Sequence, residues 1–214
     1  MLDLDGYLAR WSELHGGYDP GRARLVRGWL RLVHAIASPL ARAGISPYLL
    51  TALGVALAVA ALPAAAEGGW WLADAALLVA VSGLLDSLDG AVAVITGRAT
   101  RLGFVLDSVA DRCSDAANLG ALWLAGADAR VCVAGGGLAF LAEYIRARGG
   151  QAGMAEVGVV TVGERPTRVL VTAAFLLAGA VAGSRWPALG AWTWLVLSAV
   201  ATGQLLVVVG RRLR

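Results

Sequence analysis

The sequence predicts an all-α polytopic membrane protein, six transmembrane helices preceded by an amphipathic interfacial helix. Three observations predict it. Of the 214 residues, 58% are hydrophobic and only 15% charged, where a soluble domain carries about 25% charged residues. Mean hydropathy is +0.70. A spanning helix needs roughly 20 mostly apolar residues, and six such runs occur, at about 47–66, 70–96, 101–125, 130–148, 167–184 and 188–210.

The first twenty residues, MLDLDGYLARWSELHGGYDP, are polar and lack the short apolar core of a signal peptide, so a cytoplasmic N-terminus is expected. Within residues 21–44, Leu25, Trp29, Leu32, Val33 and Ile36 recur at helical spacing while Arg24, Arg27 and Arg31 take the other face. That pattern suits a helix lying along an anionic membrane surface, and a soluble cap helix is the alternative. Ile45-Ser46-Pro47 breaks it and begins the first span. The second and third spans are joined by the turn TGRATR and so are expected to be antiparallel neighbours. A single domain, 1–214, is expected, with residues 1–45 cytoplasmic or interfacial and the bundle at about 47–210.

Arginines in short loops are retained in the cytoplasm. They crowd the segment before the first span, the second-to-third connection (Arg98, Arg101), the fourth-to-fifth (Arg146, Arg148, Arg165, Arg168) and the tail (Arg211, Arg212, Arg214), whereas the opposite loops hold only Arg130 and Arg185. Both termini are therefore expected in the cytoplasm of a multi-pass plasma-membrane protein. Trp70, Trp71, Trp123 and Trp186 fall near the outer ends of spans, as an aromatic belt requires. All eighteen basic residues are arginine, which excludes Schiff-base chemistry. Cys113 and Cys132 are read as small core residues, and His15 and His34 as surface residues.

Residues 84–115 hold five aspartates. Asp86 and Asp89 are three apart and Asp107 and Asp111 four apart, spacings that put each pair on one helix face. An ionised carboxylate at membrane depth costs a few kcal/mol even on the lenient scale, so four of them converging call for cations. An oxygen-only set suits magnesium or manganese, and two ions are plausible. Helix capping or pairing with Arg98, Arg101 and Arg112 is one alternative, and an ion pathway another. Gly90 follows Asp89 directly and Gly103 lies one turn before Asp107, leaving space for a ligand. Asp115 is expected to pair with Arg112, Glu143 to support the arginine loop, and Asn118 to be a buried polar residue.

The pattern Asp86-x-x-Asp89-Gly90-x-x-Ala93, then Gly103-x-x-x-Asp107-x-x-x-Asp111, resembles the signature of the CDP-alcohol phosphotransferase family, DxxDGxxAR, eight residues, then GxxxDxxxD. One position departs: the family arginine falls on Val94. Ile45-Ser46-Pro47 with Thr51 looks like the family's entry to its first span, with Tyr48 where asparagine is usual. Tyr144-Ile145-Arg146-Ala147-Arg148 and Glu164-Arg165-Pro166-Thr167-Arg168 look like segments of the actinobacterial phosphatidylinositol-phosphate and phosphatidylglycerol-phosphate synthase branches.

The resemblance implies a six-helix, homodimeric membrane enzyme that displaces CMP from CDP-diacylglycerol with an alcohol. Carried over by position, Asp86, Asp89, Asp107 and Asp111 would ligate two magnesium or manganese ions, and Asp111 would also take the proton of the attacking hydroxyl. Gly90, Ala93, Gly103 and Thr51 would border the CDP moiety. Arg146, Arg148, Arg165 and Arg168 would receive a phosphorylated acceptor, inositol phosphate or glycerol phosphate. The active site would face the cytoplasm, no nucleic-acid partner is expected, and membrane lipids are the surroundings. At Val94 a planar fork for phosphate is missing, and Arg98 or Arg101 would replace it if the helix continued. The alternative is a non-catalytic or ion-transporting homologue, although a transporter would more often show paired broken helices.

Overall fold

Eight α-helices form among the residues that the computed structural model describes, 1–14, 17–154 and 161–213. They are α1 (Leu4–Leu14), α2 (Arg24–Arg42), α3 (Pro47–Glu67), α4 (Trp71–Thr96), α5 (Arg101–Leu124), α6 (Ala129–Gln151), α7 (Arg165–Ala182) and α8 (Arg185–Arg212). The six apolar runs thus become α3 to α8. Of these, α3, α4, α7 and α8 are long and apolar enough to cross a membrane. Helices α5 and α6 fall short because they carry several charges, Asp107, Asp111, Arg112 and Asp115 on one and Glu143, Arg146 and Arg148 on the other. This is a multi-pass membrane protein.

Helix ends follow local chemistry. Gly97 at φ +65° stops α4, a conformation that favours glycine, and Thr100 then accepts the Gly103 amide at 2.9 Å to cap α5. The break removes Arg98 and Arg101 from the face of α4 that bears Val94, so the expected substitution along a continuing helix does not arise. Asp128 caps α6 by accepting the amides of Arg130 and Val131. Pro47 and Pro166 start α3 and α7, where the missing N–H costs nothing.

The chain divides into two compact units. The first comprises 1–56 and 82–110. Its core joins Tyr7 of α1, Leu30, Val33, Ala37 and Ala41 of α2, Leu50 of α3, and Leu88, Ala91, Val92 and Ile95 of α4. Helix α2 therefore has two apolar faces rather than one: Val33 is buried in this core, whereas Leu25, Trp29 and Leu32 are exposed. His34, expected at the surface, is half-buried. Its ring lies 5.3 Å from that of Tyr7 and within 3.3 Å of the Ser38 hydroxyl. His15 and Arg214 lie outside the described residues.

The second unit comprises 57–81 and 111–214. Small residues, Ala61, Ala65, Ala75 and Ala76, share its core with Leu122, Leu176 and Trp194, as close helix approach in membranes favours. A Cβ at Gly190 would lie 2.7 Å from the Cβ of Phe175, so α7 and α8 meet there only because the side chain is absent. Trp194 is fully buried and donates its indole N–H to Thr172 at 2.9 Å. Trp70, Trp71 and Trp123 are exposed as a belt requires, while Trp186 packs against Phe175 at 6.0 Å. Cys132 is buried, but Cys113 is exposed; it sits on the open face of α5, so the core assignment holds for one cysteine of the two.

Candidate active site

Helix α4 presents two stripes in its last three turns. Leu88, Ala91, Val92 and Ile95 recur at helical spacing into the core of the first unit, which turns Asp86 and Asp89 to an adjacent face. Asp107 on α5 joins them, and one carboxylate oxygen from each of the three lies within 4.8 Å of the others. Asp89 is 5% exposed. Thr51, on the first turns of α3, donates its hydroxyl to Asp89 Oδ2 at 2.5 Å and also to the Pro47 carbonyl at 3.1 Å. So short a bond fixes which way the buried carboxylate points.

Three carboxylates so close repel one another in a medium of low dielectric. An oxygen-only donor set of this density fits a hard divalent cation, and Asp86, Asp89 and Asp107 could hold one. The expected fourth ligand, Asp111, lies four residues beyond Asp107 in the part of α5 that belongs to the second unit. There its carboxylate is hydrogen-bonded by Arg165 and stands 3.7 Å from Arg112.

The residues expected around the nucleotide behave differently from one another. At Gly90 a Cβ would meet nothing within 4 Å, so protein packing does not explain its glycine. At Gly103 a Cβ would come within 3.1 Å of the Thr100 hydroxyl and 3.6 Å of the Tyr48 ring. Tyr48 and Thr100 share a hydrogen bond of 2.8 Å, a contact the sequence did not signal. Ala93 is half-buried and its carbonyl accepts the Arg98 amide at 2.9 Å.

The four arginines expected to bind an acceptor phosphate already have protein partners. Arg165 holds Asp111. Arg146 donates to Glu164 at 2.9 Å and lies 3.6 Å from Glu143. Arg148, exposed, donates to Gln151 at 2.7 Å. Arg168 is 3% exposed; it pairs with Asp115 at 2.9 Å, donates to the Gly163 carbonyl at 2.8 Å and stands 5.6 Å over the Trp194 ring. Asp115 also pairs with Arg112 at 3.1 Å, and Glu143 lies 3.9 Å from both Arg112 and Arg168. Asp115 and Glu143 thus take the roles read from the sequence, and Asn118 is buried.

Glu164 is the organiser that sequence reasoning missed. It accepts the amide and hydroxyl of Thr161 at 2.8 and 2.9 Å as well as Arg146. Burial alone would raise its carboxyl, but these donors and the Arg146 charge outweigh burial and hold it below the usual glutamate range.

The family model described as CDP-alcohol phosphatidyltransferase matches residues 45–205. The chain is 39% identical over 149 residues to the archaetidylinositol phosphate synthase of Aeropyrum pernix, covering 65% of this chain and 72% of that protein. It is 34% identical over 193 residues to the phosphatidylinositol phosphate synthase of Mycobacterium marinum, covering 84% and 80%. Crystal structures of the phosphatidylinositol phosphate synthase (PgsA1) of Mycobacterium tuberculosis are similar at 30% identity. The form with CDP-DAG bound gives a TM-score of 0.68 over 84% of this chain and 94% of that one. The complex with manganese and citrate gives 0.69 over 83% and 88%.

Proposed function

Because the chain belongs to the CDP-alcohol phosphatidyltransferase family and is therefore a transferase, we propose that it moves the phosphatidyl group of CDP-diacylglycerol to a phosphorylated polyol, inositol phosphate or glycerol phosphate, releasing CMP. The observation that carries the reading is the Asp86, Asp89 and Asp107 cluster with its Thr51 anchor. Two divalent ions, magnesium or manganese, would supply neutralisation of the diphosphate when bound there. The acceptor hydroxyl forms a bond to the lipid-side phosphorus, the bond from that phosphorus to the CMP oxygen breaks, and CMP leaves with the electron pair. The hydroxyl proton passes to the Asp111 carboxylate, the remaining acid of the signature, which Arg165 holds in place beforehand. Gly90, Ala93, Gly103 and Thr51 border the CDP moiety.

Arg146, Arg148 and Arg165 are the acceptor-phosphate ligands in this reading. Arg168, buried against Asp115 and Gly163, supports them by holding the 161–165 segment. The relatives named phosphatidylinositol phosphate synthase and archaetidylinositol phosphate synthase favour inositol phosphate as the acceptor. The arginine asymmetry supports six spans in the plasma membrane with both termini and the active site at the cytoplasmic face, and the family resemblance supports a homodimer.

The deciding experiment is CMP release from CDP-diacylglycerol by purified protein with magnesium, scanned across inositol phosphate, glycerol phosphate and unphosphorylated alcohols. Turnover with a phosphorylated polyol that is lost in Asp111→Asn supports the reading. No CMP with any acceptor defeats it, and turnover only with unphosphorylated alcohols defeats the acceptor class.

A further inference from the structure

The N-terminal helix lies outside the segment that the family model matches, yet it is built into the acid-bearing end of α4. The last four carbonyls of a helix lack internal partners. In α4 the Ala93 carbonyl takes the Arg98 amide and the Val94 carbonyl the Gly97 amide, both supplied by the adjoining turn. The Ile95 carbonyl is instead satisfied by the Leu2 amide at 3.2 Å, a donor from the far start of the chain. Five residues on, Tyr7 is 2% exposed in the same core as Leu88, Ala91, Val92 and Ile95. Leu4, Leu8 and Trp11 pack around that core, as does Val94.

These contacts act on one stripe of α4, and Asp86 and Asp89 stand on the adjacent face. A helix is free to rotate about its axis until its apolar stripe is seated. Rotation by even part of a residue step would carry Asp89 away from Thr51 and Asp107. Seating the stripe therefore sets the direction of the carboxylates. Burial of the Tyr7 ring, which pushes its phenol up to about 12, agrees with a seat that is closed to water.

We propose that residues 1–14 are a positioning element for the metal-binding carboxylates, with Tyr7 the positioning residue that acts through α4 on Asp89 and the Leu2 amide its second anchor. The proposal rests on the metal reading of the aspartate cluster given above. It also accounts for Val94, whose place at the edge of an apolar core suits valine better than a guanidinium.

The test is manganese binding by the full-length purified protein, followed from the magnetic resonance signal of the free ion, with CMP release measured in parallel. Tyr7→Ala is expected to weaken manganese binding about tenfold, the low end of what outer supports of metal ligands cost, while the KM for the acceptor is unchanged. Tyr7→Phe, which keeps the ring, should bind as wild type does, and so should Arg10→Gln on the exposed side of α1. Should Tyr7→Ala fail to fold, Leu2→Pro removes the donor to Ile95 and is expected to weaken binding in the same direction. Wild-type manganese affinity in a folded Tyr7→Ala or Leu2→Pro protein overturns the proposal. No manganese binding by wild type would instead overturn the metal reading beneath it.

Discussion

Replacing Arg168 by methionine should strongly destabilise the second unit. The guanidinium is 3% exposed and meets three partners: the Asp115 carboxylate at 2.9 Å, the Gly163 carbonyl at 2.8 Å and the Trp194 ring at 5.6 Å. A charge-assisted hydrogen bond contributes about 1.5–3 kcal/mol, and a cation over an aromatic face about 1 kcal/mol. The dominant effect is neither of these. Asp115, itself buried, would keep Arg112 at 3.1 Å as its remaining ion-pair partner, and breaking a buried pair by removing one member costs about 3–5 kcal/mol. Those contributions overlap and do not add, so about 3–5 kcal/mol is the expected loss, read as a shift in the SDS-unfolding midpoint in mixed micelles. Arg168→Met with Asp115→Asn should recover at least half of it, because the buried carboxylate that had lost one of its two partners is then neutral. A single variant within about 1 kcal/mol of wild type would refute the reasoning, since surface pairs alone contribute that little.

Three further outcomes follow from the geometry. Thr51→Val removes the donor that aims Asp89 and should raise the magnesium requirement for CMP release about tenfold or more; an unaltered magnesium curve would count against Thr51 as a support of the site. Gly90→Ala has room in the fold and exchanges glycine for a better helix former, a gain of about 0.5–1 kcal/mol; it should therefore be as stable as wild type or more so, yet bind the CDP-linked lipid worse, and an unchanged KM would show that the space is not used by substrate. Glu164 is held below the usual glutamate range, so its contribution is present above about pH 4.3, the ordinary glutamate value, and is lost as pH falls through the lower folded value. Glu164→Gln should accordingly flatten the acid limb of the unfolding curve, and an unchanged limb would assign the acid sensitivity elsewhere.

The helical segments α3 to α8 were legible because apolar runs of membrane length leave the backbone no other way to satisfy its hydrogen bonds. The triad of Asp86, Asp89 and Asp107 was legible for a related reason: carboxylates at three- and four-residue spacing in an apolar helix must share a face and need a common purpose. Helix α1 was not legible, because Leu4, Tyr7, Leu8 and Trp11 are interspersed with Asp5, Arg10, Ser12 and Glu13 in a short segment and only tertiary packing reveals their use. The partner of Asp111 was also hidden. Arg165 lies fifty-four residues away, and no local spacing announces a pair at that separation. Arg98 and Arg101 misled for a local reason, since a helix was extended through a glycine that takes the left-handed conformation.

Arg165 complicates the simplest test of the acceptor pocket. An arginine that only received the acceptor phosphate would, on removal, affect phosphorylated acceptors and leave unphosphorylated alcohols alone. Arg165 also holds Asp111, the proposed base, so Arg165→Ala removes a phosphate contact and frees the carboxylate in one step, and loss with both acceptor classes would not separate the two. Arg148 does separate them: it is exposed and donates to Gln151, not to a carboxylate of the signature. Arg148→Ala should lower kcat/KM about tenfold to a hundredfold with inositol phosphate or glycerol phosphate, the equivalent of one charge-assisted hydrogen bond of about 1.5–3 kcal/mol, and leave unphosphorylated alcohols within twofold or so. Equal loss with both classes in Arg148→Ala would remove the phosphate pocket from the account. With Arg148 selective and Arg165 not, the loss in Arg165→Ala is explained by its hold on Asp111, the carboxylate proposed to take the proton.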